Sequence, residues 1–509
     1  MNIADWLWRA ARLWPEAPAL LTGDRLEATQ AAFAARAGGL AASLRARLGL
    51  TSGDRVGLFM KNRIEYLEAL YGTWWAGMVA VPVNAKLHPR EAAWILDNAG
   101  ARLCLVSDDL GGSLAEAAPD VRLVSVDDPA WRALTGAEPL ARPVPRDDQD
   151  LAWLFYTSGT TGRPKGVMLS NLTLMAMTLC YPLDVDPVTA ADAALYAAPL
   201  SHGAGMYSLV HVRAGARHVV PPSGVFDPAE ILDLAPRLST VSMFAAPTMV
   251  RRLVDAARAG DGTGEGLRTI VYGGGPMYVA DIEEAVATLG PRFVQIYGQG
   301  ESPMTITALS RALVADRDHP RWRDRLGSVG RAQSCVELRV ADADGNPLPE
   351  GAVGEILVRG PQVMRGYWDN PEATETTLRG GWLWTGDLGR LDADGFLTLT
   401  DRSKDVIISG GTNIYPREVE EVVLTHPDVH EVAVVGQPDP EWGEVVVAFV
   451  TLRAGAAWDP GALDHHCTEA MARFKRPKVW RHIDALPKNN YGKVVKGDLR
   501  VLLRTMPRG

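Results

Sequence analysis

The chain has 509 residues, 47% hydrophobic and 22% charged, with a formal net charge of −9 from 52 Lys and Arg against 61 Asp and Glu. A chain this long buries on the order of three quarters of its unfolded surface and spans roughly three domain-sized units. Its acidic balance excludes a broad basic surface for non-specific nucleic-acid binding, and its most apolar run, residues 70–83, is interrupted by two glycines and a proline, so it does not span a bilayer.

Residues 1–10, with Asp5 early and no long apolar stretch, read as an amphipathic helix and not as a secretion signal. Helical and strand periods then alternate, the pattern of layered α/β structure. Residues 65–76 read as a helix, 78–83 as a strand, 91–99 as a helix and 102–106 as a strand. A Pro- and Asp-rich connector at 141–150 leads into the apolar strand 151–156. Further strands are expected at 218–220, 240–244, 269–272 and 293–297, with a glycine-rich connector at 257–266. Several of these strands end in glycines and polar residues, which places a site at their carboxyl ends. After Gly330 turn-flanked alternation predicts antiparallel strands, up to a boundary near residues 401–405. The remainder predicts a helix at 416–424, strands at 431–435 and 445–452 and a helix at 463–471, a small α+β unit. Cys104, Cys180, Cys335 and Cys467 are far apart and form no CxxC pair, which fits reduced thiols in a cytoplasmic protein better than a disulfide or zinc framework.

The chemistry concentrates in Thr157-Ser158-Gly159-Thr160-Thr161-Gly162-Arg163-Pro164-Lys165-Gly166. Glycines let backbone N–H groups approach oxyanions, hydroxyls add donors, and Lys165 adds a charge. The stretch is built to hold phosphate. It is not the common nucleotide loop, in which Ser or Thr follows the lysine and a helix begins. Here Gly166 follows Lys165, and Pro164 before it donates no N–H. The segment resembles the phosphate loop of the adenylate-forming superfamily, which comprises acyl-CoA synthetases, luciferases and the adenylation domains of peptide synthetases.

Later motifs extend the resemblance in family order. Tyr297-Gly298-Gln299-Gly300-Glu301 follows a strand and resembles the family's Tyr-Gly-x-Thr-Glu. A carboxylate beside a phosphate loop suits Mg²⁺ on the nucleotide, and the resemblance gives that role to Glu301, together with Thr160. Gly300 departs from the family pattern, where Thr is usual. Trp384-Thr-Gly-Asp387 offers an acceptor-only carboxylate on a tight turn, and the resemblance makes Asp387 the ribose ligand. Gly273, Gly274 and Gly275, followed by Pro276 and Met277, resemble the stretch that passes the adenine and lines the acyl pocket. His202, in Pro199-Leu-Ser-His202-Gly203, resembles the family residue bordering the acyl and pantetheine channel; no acid–base role is assigned to it. Arg402 in Asp401-Arg402-Ser403-Lys404-Asp405 would contact ribose or phosphate, and Lys404 would be the hinge. Asn413, closing Ser409-Gly-Gly-Thr-Asn413, would approach the nucleotide during thioester formation. Pro487-Lys-Asn-Asn-Tyr-Gly-Lys493 resembles the C-terminal motif whose lysine drives adenylation, so Lys493 and the phosphate-loop threonines Thr160 and Thr161 are the expected catalytic partners of Glu301. Arg473, Lys475, Arg476 and Lys478 form a basic cluster that either meets the phosphates of CoA or is simply solvated.

The resemblance implies an α/β fold: an N-terminal AMP-binding domain over residues 1–401, made of layered α/β subdomains and a β-rich subdomain, and a small mobile α+β domain over 402–509. It implies an AMP-forming acyl-CoA ligase that uses ATP, Mg²⁺ and coenzyme A, passes through an acyl-AMP intermediate, and releases AMP and pyrophosphate. The acid would be fatty or aromatic, in a pocket walled by His202, Met206, Tyr207, Gly274, Gly275, Met277, Ser302, Pro303 and Met304. None of these is a fixed cation, which disfavours a dicarboxylate such as malonate. Loading of a carrier protein is the rival within the same fold, and the lack of a carrier domain after Gly509 favours free CoA. A non-enzymatic nucleotide sensor is the rival outside it. No nucleic-acid partner is expected, and a homodimer is left open.

Overall fold

Residues 151–157 read as an unbroken apolar run because the strand Leu151–Thr157 is covered on both faces, with Ala152, Trp153 and Leu154 at most 2% exposed. In the computed structural model it is an interior strand, next to one edge, of a six-stranded sheet ordered Arg122–Ser125, Leu103–Val106, Arg55–Phe59, Val79–Pro82, Leu151–Thr157 and Lys165–Ser170. All neighbours run parallel except the last pair. The structure describes residues 1–157, 163–260, 262–402, 405–409, 412–489 and 492–506, the side chain of Arg402 excepted.

Helix Ile64–Trp75 packs on this sheet, and helix Gln30–Ala46 packs on that helix. Gly72 lets them meet closely, since a β-carbon there would stand 2.6 Å from Leu40 Cδ2. The buried Trp74 indole donates to the Ala152 carbonyl at 2.8 Å, so the helix is tied to the strand as well as packed on it. Residues 70–83 resolve as expected into a helix end, a turn at Gly77 with φ +75° and the strand Val79–Pro82.

A second, nine-stranded sheet runs Arg331–Ala332, Ser302–Leu309, Phe293–Gln299, Leu267–Tyr272, Val241–Ala245, Ala193–Leu195, Arg217–Val220, Pro18–Thr22 and Arg25–Thr29. Its interior pairs are parallel and its edges antiparallel. The glycine-rich stretch near residue 260 is partly structured. Residues 257–259 complete the helix Pro247–Ala259, where Ala257 continues the buried face of Val250, Leu253 and Val254, and the Gly266 carbonyl accepts from Val241 N–H at 2.8 Å.

The β-rich part is a five-stranded antiparallel sheet of Glu337–Ala341, Gly354–Arg359, Leu378–Arg379, Trp382–Leu391 and Leu397–Arg402. The smaller C-terminal α+β unit holds Ile407–Ser409, Thr412–Ile414, Val429–Asp439 and Gly443–Leu452, with Val479–His482 added in parallel. Helices Pro416–Val423, Pro460–Ala470 and Lys496–Thr505 complete it. Among the described residues no helix is long and apolar enough to cross a membrane.

Helix Pro416–Val423 docks the small unit onto the large one. The Arg417 guanidinium donates to the Met277 carbonyl at 3.2 Å, the Tyr278 hydroxyl donates to Glu420 at 3.0 Å, and Val279 N–H donates to Glu421 at 3.3 Å. Arg251, from the helix that follows Val241–Ala245, donates to the His430 carbonyl at 2.6 Å and pairs with Asp281 at 2.5 Å.

Candidate active site

Thr157 and Lys165 face each other at the end of the hairpin formed by Leu151–Thr157 and Lys165–Ser170, and the stretch expected to hold phosphate lies between them in sequence. Ser158, Gly159, Thr160, Thr161 and Gly162 lie outside the described residues, as does Lys404. Beside the hairpin, residues 364–368 run along Lys165–Ser170: Trp368 N–H donates to the Gly166 carbonyl at 2.7 Å, and Val167 bridges Tyr367.

That pairing places Tyr367 between two expected site residues. The Lys165 ammonium stands 4.8 Å from the centre of the Tyr367 ring, and the Tyr367 hydroxyl donates to Glu301 Oε1 at 2.6 Å. Met364 N–H also fixes the Glu301 carbonyl at 2.8 Å. Burial, and after it the Glu301 carboxylate, raises the phenol further above its ordinary value, so it stays a donor. The sequence reading missed Tyr367. Its only signal was Met364-Arg-Gly-Tyr367-Trp368, a glycine and two aromatics with nothing to say what they face.

Asp387 was expected on a tight turn but lies inside the strand Trp382–Leu391. The strand is bulged, with register shifts on both sides and Gly386 at φ +70°, which re-aims the carboxylate without ending the ladder. The Tyr297 hydroxyl and the Gln299 amide donate to Asp387 Oδ2 at 2.7 and 2.5 Å. Arg402 is the cross-strand neighbour of Asp387, its side chain lying outside the described part.

The turn 298–301 explains its own glycines. A β-carbon on Gly298 would stand 2.7 Å from Met304 N, so the returning strand needs glycine there. A β-carbon on Gly300 would stand 2.5 Å from Thr157 Cγ2 and 2.9 Å from Phe155 Cδ1. The departure from the usual Thr therefore has a physical cause: the Thr157 methyl and the Phe155 ring already fill the space.

Phe155 also meets His202 edge-to-face at 4.9 Å. The surrounding protein pushes the His202 imidazole down to about 3, so it is neutral at pH 7 and suits a wall better than a proton carrier. Met304 lies against the next residue, since a β-carbon on Gly203 would meet its Sδ at 2.6 Å. Met304 has φ +58° and is held by the Gln333 amide, which donates to its carbonyl at 3.0 Å. Tyr207 packs on Phe244 at 6.3 Å and Tyr181 at 4.8 Å. Met206 and Met277 are 1% exposed, Pro303 is buried, and the Ser302 hydroxyl donates to the Thr305 carbonyl at 2.8 Å. Gly273 packs on Ile296, Gly274 is an exposed left-handed turn residue at φ +79°, and Gly275 faces Pro247.

Lys493 stands on a hairpin. Lys488 bridges Val494, Asn489 N–H donates to the Lys493 carbonyl at 2.8 Å, and Gly492 supplies the turn at φ +78°. The tip reaches the large unit, because a β-carbon on Gly492 would stand 2.7 Å from Thr248 Oγ1. Thr248 opens the helix after Val241–Ala245, at the carboxyl ends of the parallel strands. Asn413 is exposed on Thr412–Ile414, opposite Ile408. In the basic cluster, Lys475 pairs with Glu418 and Arg476 with Asp464, so two of its four charges are already neutralised within the fold.

The chain matches the AMP-binding enzyme family over residues 7–368 and the AMP-binding enzyme C-terminal domain over residues 418–493. It is 37% identical over 503 residues, 98% of each chain, to a feruloyl-CoA synthase of an Amycolatopsis species. Its fold is similar, with TM-score 0.88 and 32% identity over 99% of both chains, to ATP-bound MatB from Rhodopseudomonas palustris. It is similar also to the o-succinylbenzoate CoA synthetase of Bacillus subtilis in complex with an acyl-adenylate intermediate, with TM-score 0.85 and 32% identity over 99% and 98% of the two chains.

Proposed function

The chain belongs to the AMP-binding enzyme family of adenylate-forming, acid-activating enzymes, and on that premise we propose that it is an AMP-forming ligase that joins an aromatic or fatty acid to coenzyme A. The observation that supports the reading is the Lys493 hairpin seated on Thr248 at the carboxyl ends of the parallel strands, the sheet end at which Glu301 follows Phe293–Gln299 and Tyr297 reaches Asp387.

In the first half-reaction the acid carboxylate attacks the α-phosphate of ATP, forming the acyl–AMP bond and releasing pyrophosphate. Lys165 and the phosphate loop bind the phosphates. Asp387, fixed by Tyr297 and Gln299, accepts from the ribose hydroxyls. Lys493 neutralises the charge that gathers where two anions meet. The residues present fit a magnesium ion. Glu301 keeps its Oε2 aside from the bond that Tyr367 makes to Oε1, and oxygen is the donor this cation prefers, with phosphate oxygens completing its shell. When bound, the ion offsets phosphate charge.

In the second half-reaction the thiolate of coenzyme A attacks the acyl carbonyl, and AMP departs. The small domain rotates about Lys404, near the boundary at residues 401–402, withdrawing Lys493 and turning Asn413 toward the nucleotide. Arg473 and Lys478 are the two cluster cations left for the phosphates of CoA. The acyl pocket is lined by Phe155, His202, Met304, Tyr207 and Phe244, which are aromatic or apolar and uncharged at pH 7, favouring an apolar acid with one carboxylate. The aromatic acid named for the Amycolatopsis relative supports the same class.

The test is pyrophosphate release over a panel of aromatic and aliphatic acids, with the thioester followed by mass spectrometry in the presence of CoA. Acyl-CoA, AMP and pyrophosphate formed in equal amounts support the reading. Pyrophosphate release with a thioester only on an added carrier protein would overturn the CoA assignment.

A further inference from the structure

Cys180 and Cys335 are 155 residues apart in sequence and 3.0 Å apart at their sulfurs. That is about 1 Å more than a disulfide bond of about 2.0 Å. Cys180 is the buried last residue of helix Asn171–Cys180, and Cys335 stands partly exposed in the turn between Arg331–Ala332 and Glu337–Ala341. The two segments are already locked together, since Ser334 donates its N–H and hydroxyl to the Asp184 carboxylate at 2.9 and 2.8 Å. Gln362 is a further neighbour, its Oε1 3.7 Å from Cys335 Sγ.

Each cysteine leads to a different wall of the acyl pocket. Tyr181, next to Cys180, opens a π-helical turn and packs on Tyr207. Gln333, two residues before Cys335, holds the Met304 and Thr307 carbonyls at 3.0 and 3.3 Å. We propose that Cys180 and Cys335 form a redox-sensitive thiol pair that closes to an intramolecular disulfide under peroxide and, by tying the Tyr207 wall to the Met304 wall, changes the affinity for the carboxylic acid. The second half of this inference rests on the pocket described above.

The chemistry balances. The contact with Cys335 holds Cys180 below the ordinary thiol value, while the same contact, with burial, raises Cys335, so Cys180 is the more acidic thiol of the pair and the one that reacts as its thiolate. Hydrogen peroxide takes two electrons from that thiolate, giving a sulfenic acid and hydroxide. The Cys335 sulfur then attacks it, forming the S–S bond as the hydroxyl leaves with the thiol proton as water. Cys104 and Cys467, whose thiols burial pushes up to about 12 and about 11, are internal controls that stay reduced.

The experiment treats the full chain with a small excess of hydrogen peroxide, blocks the remaining thiols after denaturation, and maps linked peptides by mass spectrometry. Free thiols fall from four to two, the linked peptides contain Cys180 and Cys335, and dithiothreitol reverses both changes. The oxidised enzyme shows a several-fold change in KM for its acid with the KM for ATP unaltered, and Cys335→Ser shows neither the link nor the shift. Four retained thiols, or sulfinic acid at either cysteine without a link, overturn the proposal; so does a disulfide that leaves the acid KM unchanged. The link is read without substrate, so its failure is distinguishable from failure of the acid-activating reading.

Discussion

Gly300 packs so closely on Thr157 that a β-carbon at residue 300 would stand 2.5 Å from the Thr157 methyl. The nearer obstacle is a short side chain fixed to its own strand, so it cannot swing away. Gly300→Thr therefore overpacks the site and loses about 1–3 kcal/mol of stability. Thr157→Ser deletes the obstructing methyl and recovers part of that loss in the double variant. Urea unfolding of the four proteins checks this; strictly additive losses would contradict it.

Tyr367 is the residue that joins Lys165 to Glu301. Tyr367→Phe keeps the ring under the Lys165 ammonium and deletes a hydrogen bond to a carboxylate, a change of about 1.5–3 kcal/mol. The expected result is a higher KM for ATP and a higher magnesium requirement, with the acid KM little changed. Initial rates titrated against magnesium and ATP read this out.

Asp387 serves Tyr297 and Gln299 as well as the expected ribose. Asp387→Ala removes an acceptor from Tyr297 and from Gln299, whose amide keeps the Thr385 carbonyl at 3.0 Å, at about 1–3 kcal/mol for a donor that stays buried and unsatisfied. The variant is expected to unfold at lower urea and to bind ATP more weakly. Asp387→Asn, which retains one carbonyl acceptor, is expected to lose less stability than nucleotide affinity. Calorimetric titration with ATP beside urea melts separates the two losses.

His211 and His218 are 3% and 0% exposed, and burial pushes both imidazoles below their ordinary value of 6.5. The unfolded chain then binds protons that the folded chain refuses. Their contribution to stability is complete above pH 6.5 and is lost as pH falls toward the depressed folded values, at no more than about 1.4 kcal/mol per pH unit for each histidine. Urea midpoints measured from pH 7.5 down to 5 are expected to fall, and His211→Gln is expected to make the fall shallower.

Much of this was legible in the sequence because local signals agreed with the fold. The apolar run of Leu151–Thr157, the glycine turn at Gly77 and the Gly492 hairpin each follow from neighbouring residues alone. Long-range partners were not legible. Tyr367 reaches Glu301 across 66 residues, and Cys180 reaches Cys335 across 155. Asp387 was misread as a turn residue because Gly-Asp signals a turn locally, whereas here Gly386 makes a bulge within a ten-residue strand held on both sides. Gly300 could be marked from sequence as a departure, but its cause, the Thr157 methyl, required the packing.

The central claim is that the Lys493 hairpin, now lodged against Thr248, serves acyl-adenylate formation and then withdraws. The most direct measurement compares Lys493→Ala with the unaltered chain in the two half-reactions: pyrophosphate release from ATP and acid, and thioester formation from CoA and pre-formed acyl-adenylate. The account predicts a severe loss in the first with the second largely spared. Equal losses in both, or none in either, would contradict it.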